Sequence, residues 1–184
     1  MDLYEAVKKR FSVRKYKSDP IDDQVLDRVL DAARLAPSWA NVQATRYIIV
    51  TDQDIKAELA TCLTKGNPST NAITQAPVII GLCFVKGTSG YYTDQPLTSL
   101  EGQWGMFDAG LAAANLTLAA AAEGLGTVHV GALNIEKAAQ ILEVPEQAQF
   151  VELIPLGYPD QEFYSPKRME LAELLFKERY GKKG

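Results

Sequence analysis

The sequence predicts one domain in which helices and strands mix around a single sheet, placing it in the α/β or α+β class. Three observations predict this. Between Asp22 and Pro37 the apolar residues Val25, Leu26, Val29, Leu30 and Ala33 recur at a helical period, and Glu101–Glu123 is Ala-rich without proline. Arg46–Val50 and Pro77–Val85 are short, apolar and rich in β-branched residues, as strands are. The two kinds of segment interleave with no internal repeat, low-complexity tract or linker-like shift. At 184 residues the chain is long enough to bury roughly 70% of its unfolded surface in one core.

The elements follow in order. Asp2 and Glu5 form a capping-box pattern that opens a first helix, with Leu3, Ala6 and Val7 inward and an end near Arg10. Pro20 and Asp22-Asp23 open the second helix, and Pro37 stops it. Arg46–Val50 is a strand, and Asp52 caps a third helix that runs through Leu59 and Leu63. The unbroken run Pro77–Val85 suits a strand covered on both faces. Lys86–Leu100, with its Gly, Pro, Tyr, Ser and Thr, is a long loop of the kind that serves as a lid or binding element. Glu101–Glu123 is one long helix buried on most sides, and Thr127–Val130 is a short strand between glycines. Asn134 caps a helix through Leu142, Phe150–Leu156 is a strand, and Leu171–Tyr180 is a terminal helix with basic residues in its last turn.

Composition excludes several function classes. Apolar residues make up 47% and charged residues 23%, with a net charge of −4, so the chain lacks the basic face of a general nucleic-acid or anionic-membrane binder. The two cysteines, Cys62 and Cys83, lie in apolar runs far apart, and His129 is the single histidine. A metal centre is short of ligands, and buried free thiols are expected. The N-terminus lacks a signal-peptide pattern, and no uninterrupted apolar run reaches about 18 residues. A cytoplasmic protein without a membrane span is the expectation.

Against that acidic background, Arg10-Phe11-Ser12-Val13-Arg14 places two guanidiniums and a hydroxyl within five residues. Guanidinium forks match phosphate geometry, and each charge-assisted bond contributes roughly 1.5–3 kcal/mol. The pentad is either a phosphate clamp or a solvated basic turn. Pro37-Ser38-Trp39-Ala40-Asn41-Val42-Gln43 offers short polar groups to the edge of a planar heterocycle, or is an ordinary helix exit. Pro166-Lys167-Arg168 adds two cations, for a phosphate or for solvent. Gly124, Gly126 and Gly131-Ala132 allow a ring system close to the main chain, or cap a helix. His129 in an apolar strand reads as a satisfied core residue. No Ser–His–acid set, Walker-type loop or Gly-x-Gly-x-x-Gly after a strand is present.

Together these segments resemble the nitroreductase family of FMN-dependent oxidoreductases. The resemblance rests on Arg10-x-Ser12-x-Arg14-x-Tyr16 and Ala36-Pro37-Ser38-x-x-Asn41-x-Gln43. It continues through Asp108-x-Gly110-x-Ala112-x-x-Asn115-Leu116-x-Leu118-x-Ala120, Gly124-Leu125-Gly126, Leu156-Gly157-Tyr158-Pro159 and Arg168-x-x-Leu171-x-Glu173. It spans residues 2–175. It implies an α+β sandwich with a central mixed, mainly antiparallel sheet, built as an intertwined homodimer with FMN at the interface. By position, Arg10, Phe11, Ser12 and Arg14, with Lys167 and Arg168, would hold the FMN phosphate and ribityl chain. Pro37, Ser38, Trp39, Asn41 and Gln43 would touch the flavin from the partner or beside it. Val130, Gly131 and Ala132 would bring main-chain N–H groups to the ring. Glu101–Glu123 would be the dimer core.

The implied activity is ping-pong transfer of a hydride from NAD(P)H, through flavin N5, to a nitroaromatic, quinone or similar small acceptor. No metal or side-chain nucleophile is required. Trp39, Ala44-Thr45, His129 and the 86–100 loop depart from the family pattern. Tyr91, Tyr92 and Trp104 are candidates for shaping the substrate mouth, or for loop packing and dimer contact. A specialised activity on the same scaffold (dehalogenation, azoline oxidation, flavin fragmentation) and a flavin-binding protein without turnover stand as alternatives.

Overall fold

The computed structural model describes residues 1–100 and 103–182; Glu101, the expected start of the long helix, lies outside the described residues. A four-stranded sheet in the order β1–β2–β6–β5 carries the fold, with β1 Thr45–Val50, β2 Val78–Val85, β5 Gly126–Thr127 and β6 Ala148–Gly157. All three strand pairings are antiparallel. The parallel contribution is the isolated bridge between Ser12 and Thr127 at the β5 edge. The class is α+β.

The apolar run in β2 is explained by cover on both sides. Val78, Ile80, Leu82 and Phe84 face α2 (Asp23–Arg34) and α5 (Gln103–Ala122), meeting Val29, Ala33, Ala109, Ala113, Leu116 and Ala120. Ile79 and Cys83 face the other layer, built from α3 (Gln53–Ala60), α4 (Thr70–Gln75) and α6 (Ile135–Ile141). A bulge at Leu82/Cys83 sets Glu152 and Phe150 opposite neighbouring residues, with Val151 as the extra one. Gly105 lets α5 settle on β2, since a Cβ there would run into the Phe84 ring.

The capping signals act as read. Asp2 and Glu5 form both halves of a capping box at α1 (Leu3–Lys9), and Asp22, Asp52 and Asn134 accept backbone N–H bonds at α2, α3 and α6. α5 is long and apolar enough to cross a bilayer, but its inner face is buried against α2 and the sheet.

Several expectations are corrected. The terminal helix expected over Leu171–Tyr180 is one turn, α7 Leu171–Leu174; Leu175 is extended and Glu178 left-handed. Leu171, Leu174 and Leu175 are exposed, and so short a helix is marginal without packing. Leu3 and Val7, expected inward, are exposed; only Ala6 of α1 is buried. The Thr127–Val130 strand pairs only at Gly126–Thr127, and Val130 then forms a separate bridge to Leu153. The third helix stops at Ala60, and Leu63 bridges Leu133 instead. α4 follows a Gly66-Asn67-Pro68 turn whose punctuation hides so short a helix. The 86–100 loop carries a small hairpin, β3 Tyr91–Tyr92 with β4 Gln95–Pro96, turned through left-handed Thr93 and Asp94.

Candidate functional site

The basic pentad is strapped to the sheet. As α1 ends, the Val13 N–H donates to the Thr127 carbonyl (2.9 Å), and the fully buried Val13 side chain plugs the core. Gly126 makes this approach possible: a Cβ there would stand 2.5 Å from Val13 Cγ2 and 2.7 Å from Val13 Cβ. Tyr16 locks the far end, its buried hydroxyl donating to the Val13 carbonyl (2.7 Å). Burial raises the Tyr16 phenol far above its ordinary range, so it stays protonated.

Ser12 and Arg14, on either side of the buried Val13, are half-buried. Arg14 Nε donates to Ser69 Oγ (3.3 Å). The Ser69 N–H donates to Asn67 Oδ1 (2.9 Å), and Asn67 Nδ2 donates to the Ala132 carbonyl (3.2 Å). This relay joins the pentad to the Val130–Ala132 segment. Val130 is tied to β6 through Leu153 in both directions, and the Ala132 carbonyl also accepts the Thr64 N–H. Gly131, between these two anchors, is exposed, and nothing lies within 4 Å of where its Cβ would be. Gln161 Oε1 accepts the Arg14 N–H (2.7 Å) and the Lys15 N–H (3.1 Å), and the Phe163 ring meets Phe11 edge-on at 5.1 Å. The chain thus runs past the pentad shortly before Lys167-Arg168. Among the described residues, no ion pair engages Arg10, Arg14, Lys167 or Arg168. Cations without an ion-pair partner suit an anion, and Arg14 is joined to the open main chain at Gly131-Ala132.

The second polar loop is built elsewhere. Trp39–Asn41 forms a 3-10 turn in which Ala40 and Asn41 have φ of 42° and 58°, and Gln43 follows at 51°. Ser38 Oγ accepts the Gln43 N–H (3.0 Å), and the Trp39 N–H donates to both carboxylate oxygens of Asp108 on α5 (3.1 Å each). Trp39 packs on Trp104, with ring centroids 4.7 Å apart. The pentad borders the opposite end of the same helix, where Ala121 lines a cavity with Arg10 and Phe11. Asp108 and Ala121 are separated by about 20 Å of α-helix.

The nitroreductase family profile matches residues 7–158, most of the chain. This chain belongs to the nitroreductase family. An FMN reductase [NAD(P)H] of Bacillus subtilis is 29% identical over 179 residues, covering 92% of this chain and 70% of that protein. A 5,6-dimethylbenzimidazole synthase of Rhodospirillum rubrum is 27% identical over 180 residues, covering 89% and 84%. A nitroreductase family protein of Clostridium novyi NT superposes with a TM-score of 0.78 at 28% identity, over 100% and 97% of the two chains.

In this nitroreductase-family chain Arg14 reaches Ala132 through Ser69 and Asn67, and Ser12 bridges Thr127, while Arg10 and Phe11 line a cavity with Gly126 and Thr127 and Arg14 lines a different one. Pro37, Ser38, Trp39, Asn41 and Gln43 form a separate group near Trp104, and Tyr91 and Tyr92 lie on the hairpin beyond Gly90, which packs against Trp104. Lys167 and Arg168 are exposed, and no described hydrogen bond or ion pair joins them to the pentad. His129 is not a core residue: it is exposed and paired with Glu152 (2.8 Å). Both thiols are buried and free, and burial raises both, Cys83 to about 11. Sequence reasoning missed Asn67, Ser69, Gln161 and the role of Asp108. Gln161 follows the Gly157-Tyr158-Pro159 motif, and Asp108 stands in the long-helix motif, so both had a positional signal.

Proposed function

We propose that this chain is an FMN-dependent NAD(P)H oxidoreductase that reduces a small organic acceptor such as a nitroaromatic or quinone, working as a homodimer. The observation that carries the reading is Arg14, without an ion-pair partner among the described residues and joined through Ser69 and Asn67 to the open Val130–Ala132 segment, in a nitroreductase-family chain.

The residues fit the cofactor. Arg10, Ser12 and Arg14 hold the phosphate and ribityl chain, with Lys167 and Arg168 closing over the phosphate and Phe11 beside them. The main chain at Gly131 and Ala132 addresses the ring edge, with Val130 fixing that segment to the sheet. FMN, when bound, supplies the hydride acceptor and donor, so the protein needs no nucleophile or metal of its own. Its task is orientation and fixed dipoles, which the Arg14–Ser69–Asn67–Ala132 relay provides without reorganisation.

A second copy completes the site. Pro37, Ser38, Trp39, Asn41 and Gln43 sit about 20 Å along α5 from the pentad, so the two groups close on one flavin when they come from different chains. α5 exposes Met106, Phe107, Gly110 and Ala114 at helical spacing, an apolar face with small residues that allow close helix approach. From Glu162 to Lys182 every residue but Phe176 is exposed, including Met169, Leu171, Leu174 and Leu175, which is the composition of a tail that packs on a partner. Relatives of similar identity carry names as different as FMN reductase and 5,6-dimethylbenzimidazole synthase. With Trp39 and the 86–100 loop at the acceptor side, a specialised flavin reaction is the second reading.

Purified protein incubated with FMN and passed over a desalting column tests the proposal. Retained yellow colour that bleaches with NADH or NADPH and returns with menadione supports it. Failure to retain flavin refutes it, and flavin that NAD(P)H does not bleach leaves a binding protein without turnover.

A further inference from the structure

The carboxylate of Asp108 is 2% exposed, and no cation pairs with it among the described residues. Its oxygens accept the Trp39 N–H (3.1 Å to each) and the Ser89 hydroxyl (2.6 Å). The two donors belong to different segments, the 37–43 loop and the 86–100 loop, and Asp108 itself belongs to α5. One buried charge therefore ties three elements together. A buried carboxylate without a cation is stable only while its donors stay in place.

What the clamp holds is an aromatic wall. Trp39 lies on Trp104 at 4.7 Å with the rings tilted by 55°, and Trp104 meets Phe107 at 5.6 Å. Trp104 is itself fixed: its indole N–H donates to Thr98 Oγ1 (2.9 Å), and Gly90 packs so close that a Cβ would stand 2.6 Å from Trp104 Cδ1. The backbone after Trp39 is left-handed at Ala40, Asn41 and Gln43, a conformation L residues leave readily unless neighbours hold them. The Ser38–Gln43 bond closes one end of that stretch, and Asp108 closes the other.

We propose that Asp108 is a positioning residue that clamps the Trp39 backbone, seats Trp39 on Trp104, and so forms a wall that selects planar aromatic acceptors beside the cofactor loop. The clamp stands on geometry alone; the acceptor rests on the oxidoreductase reading above.

The chain has two tryptophans, and both are in this pair. Their coupled transitions give an exciton couplet in the far-UV circular dichroism that reports on this contact, with or without flavin. Asp108→Asn keeps the side-chain shape but turns one acceptor oxygen into a donor facing other donors. In the flavin-loaded protein at saturating FMN we expect the couplet to vanish and the KM for menadione, a planar quinone, to rise about tenfold. The kcat should fall far less than the KM rises, and ferricyanide turnover should change less than the menadione KM. Ser89→Ala removes one bond and should weaken the couplet with a smaller rise in KM, which decides the matter if D108N does not fold. A couplet that survives both substitutions overturns the proposal. So does a lost couplet with unchanged menadione KM, or an equal change for ferricyanide, which marks a purely structural carboxylate. Absence of flavin uptake in the wild type would sink the oxidoreductase reading, while the couplet in apoprotein would still score the clamp.

Discussion

Gly126→Ala is a small change with a large expected effect, because no side-chain rotation relieves it. The new Cβ would stand 2.5 Å from Val13 Cγ2, 3.0 Å from Cγ1 and 2.7 Å from Cβ itself. Turning the Val13 side chain moves the two methyls but leaves Cβ in place, so the backbone at Val13 must withdraw by roughly 1 Å to restore ordinary contact. That shift strains the 2.9 Å Val13–Thr127 hydrogen bond and carries Ser12 and Arg14 with it. Overpacking of this kind costs about 1–3 kcal/mol, and a weakened buried backbone bond about 1 more. For a domain of this size that corresponds to a fall in Tm of roughly 4–15 °C. Thermal unfolding of apoprotein by circular dichroism reads the stability, and FMN fluorescence quenching reads the affinity, expected to weaken about tenfold or more. A G126A protein with wild-type Tm and wild-type FMN affinity would refute the claim that the close approach at Gly126 sets the position of the pentad.

Arg14→Ala removes a charge-assisted contact from the phosphate side. The FMN Kd should rise about 10- to 150-fold, matching roughly 1.5–3 kcal/mol, and equilibrium dialysis measures it. Unchanged affinity removes Arg14 from the site. Burial holds the Cys83 thiol protonated up to about pH 11 in the folded state, against an ordinary value of 9.0. Above pH 9 the unfolded chain has therefore given up a proton that the folded chain keeps, and stability falls as pH rises. The loss from this group is on the order of 2 kcal/mol by pH 11. Tyr16, also raised by burial, adds to the decline above its ordinary value of 10.0. Urea unfolding at pH 8 and pH 11 should show a steeper loss in wild type than in Cys83→Ala; equal losses contradict the assignment.

Local signals made much of this molecule legible. The period in Val25–Ala33, the capping residues Asp2, Asp22, Asp52 and Asn134, and the two-sided run in Val78–Val85 each act within a few residues, and each gave the right element. The pentad stood out as a candidate because charge and hydroxyl stand together in sequence. What was hidden depends on distant partners. Arg14 meets Ser69 across 55 residues, Asn67 meets Ala132 across 65 and Trp39 meets Asp108 across 69, and no periodicity marks such pairs. Leu171–Tyr180 shows the converse failure. Its composition suits a helix, but Leu171, Leu174 and Leu175 stay exposed, and only Leu171–Leu174 is helical.

The central claim is that one FMN site combines the pentad of one chain with the 37–43 loop of another. Co-expression of Arg14→Ala with a differently tagged Ser38→Ala/Asn41→Ala chain, followed by isolation of the mixed species, tests it. In a mixed dimer one site collects all the substitutions and the other collects none. The isolated mixed species should bind one FMN per dimer with wild-type affinity, while each parent binds only weakly. If the mixed species binds no better than its parents, both halves of the site come from the same chain and the composite site is contradicted.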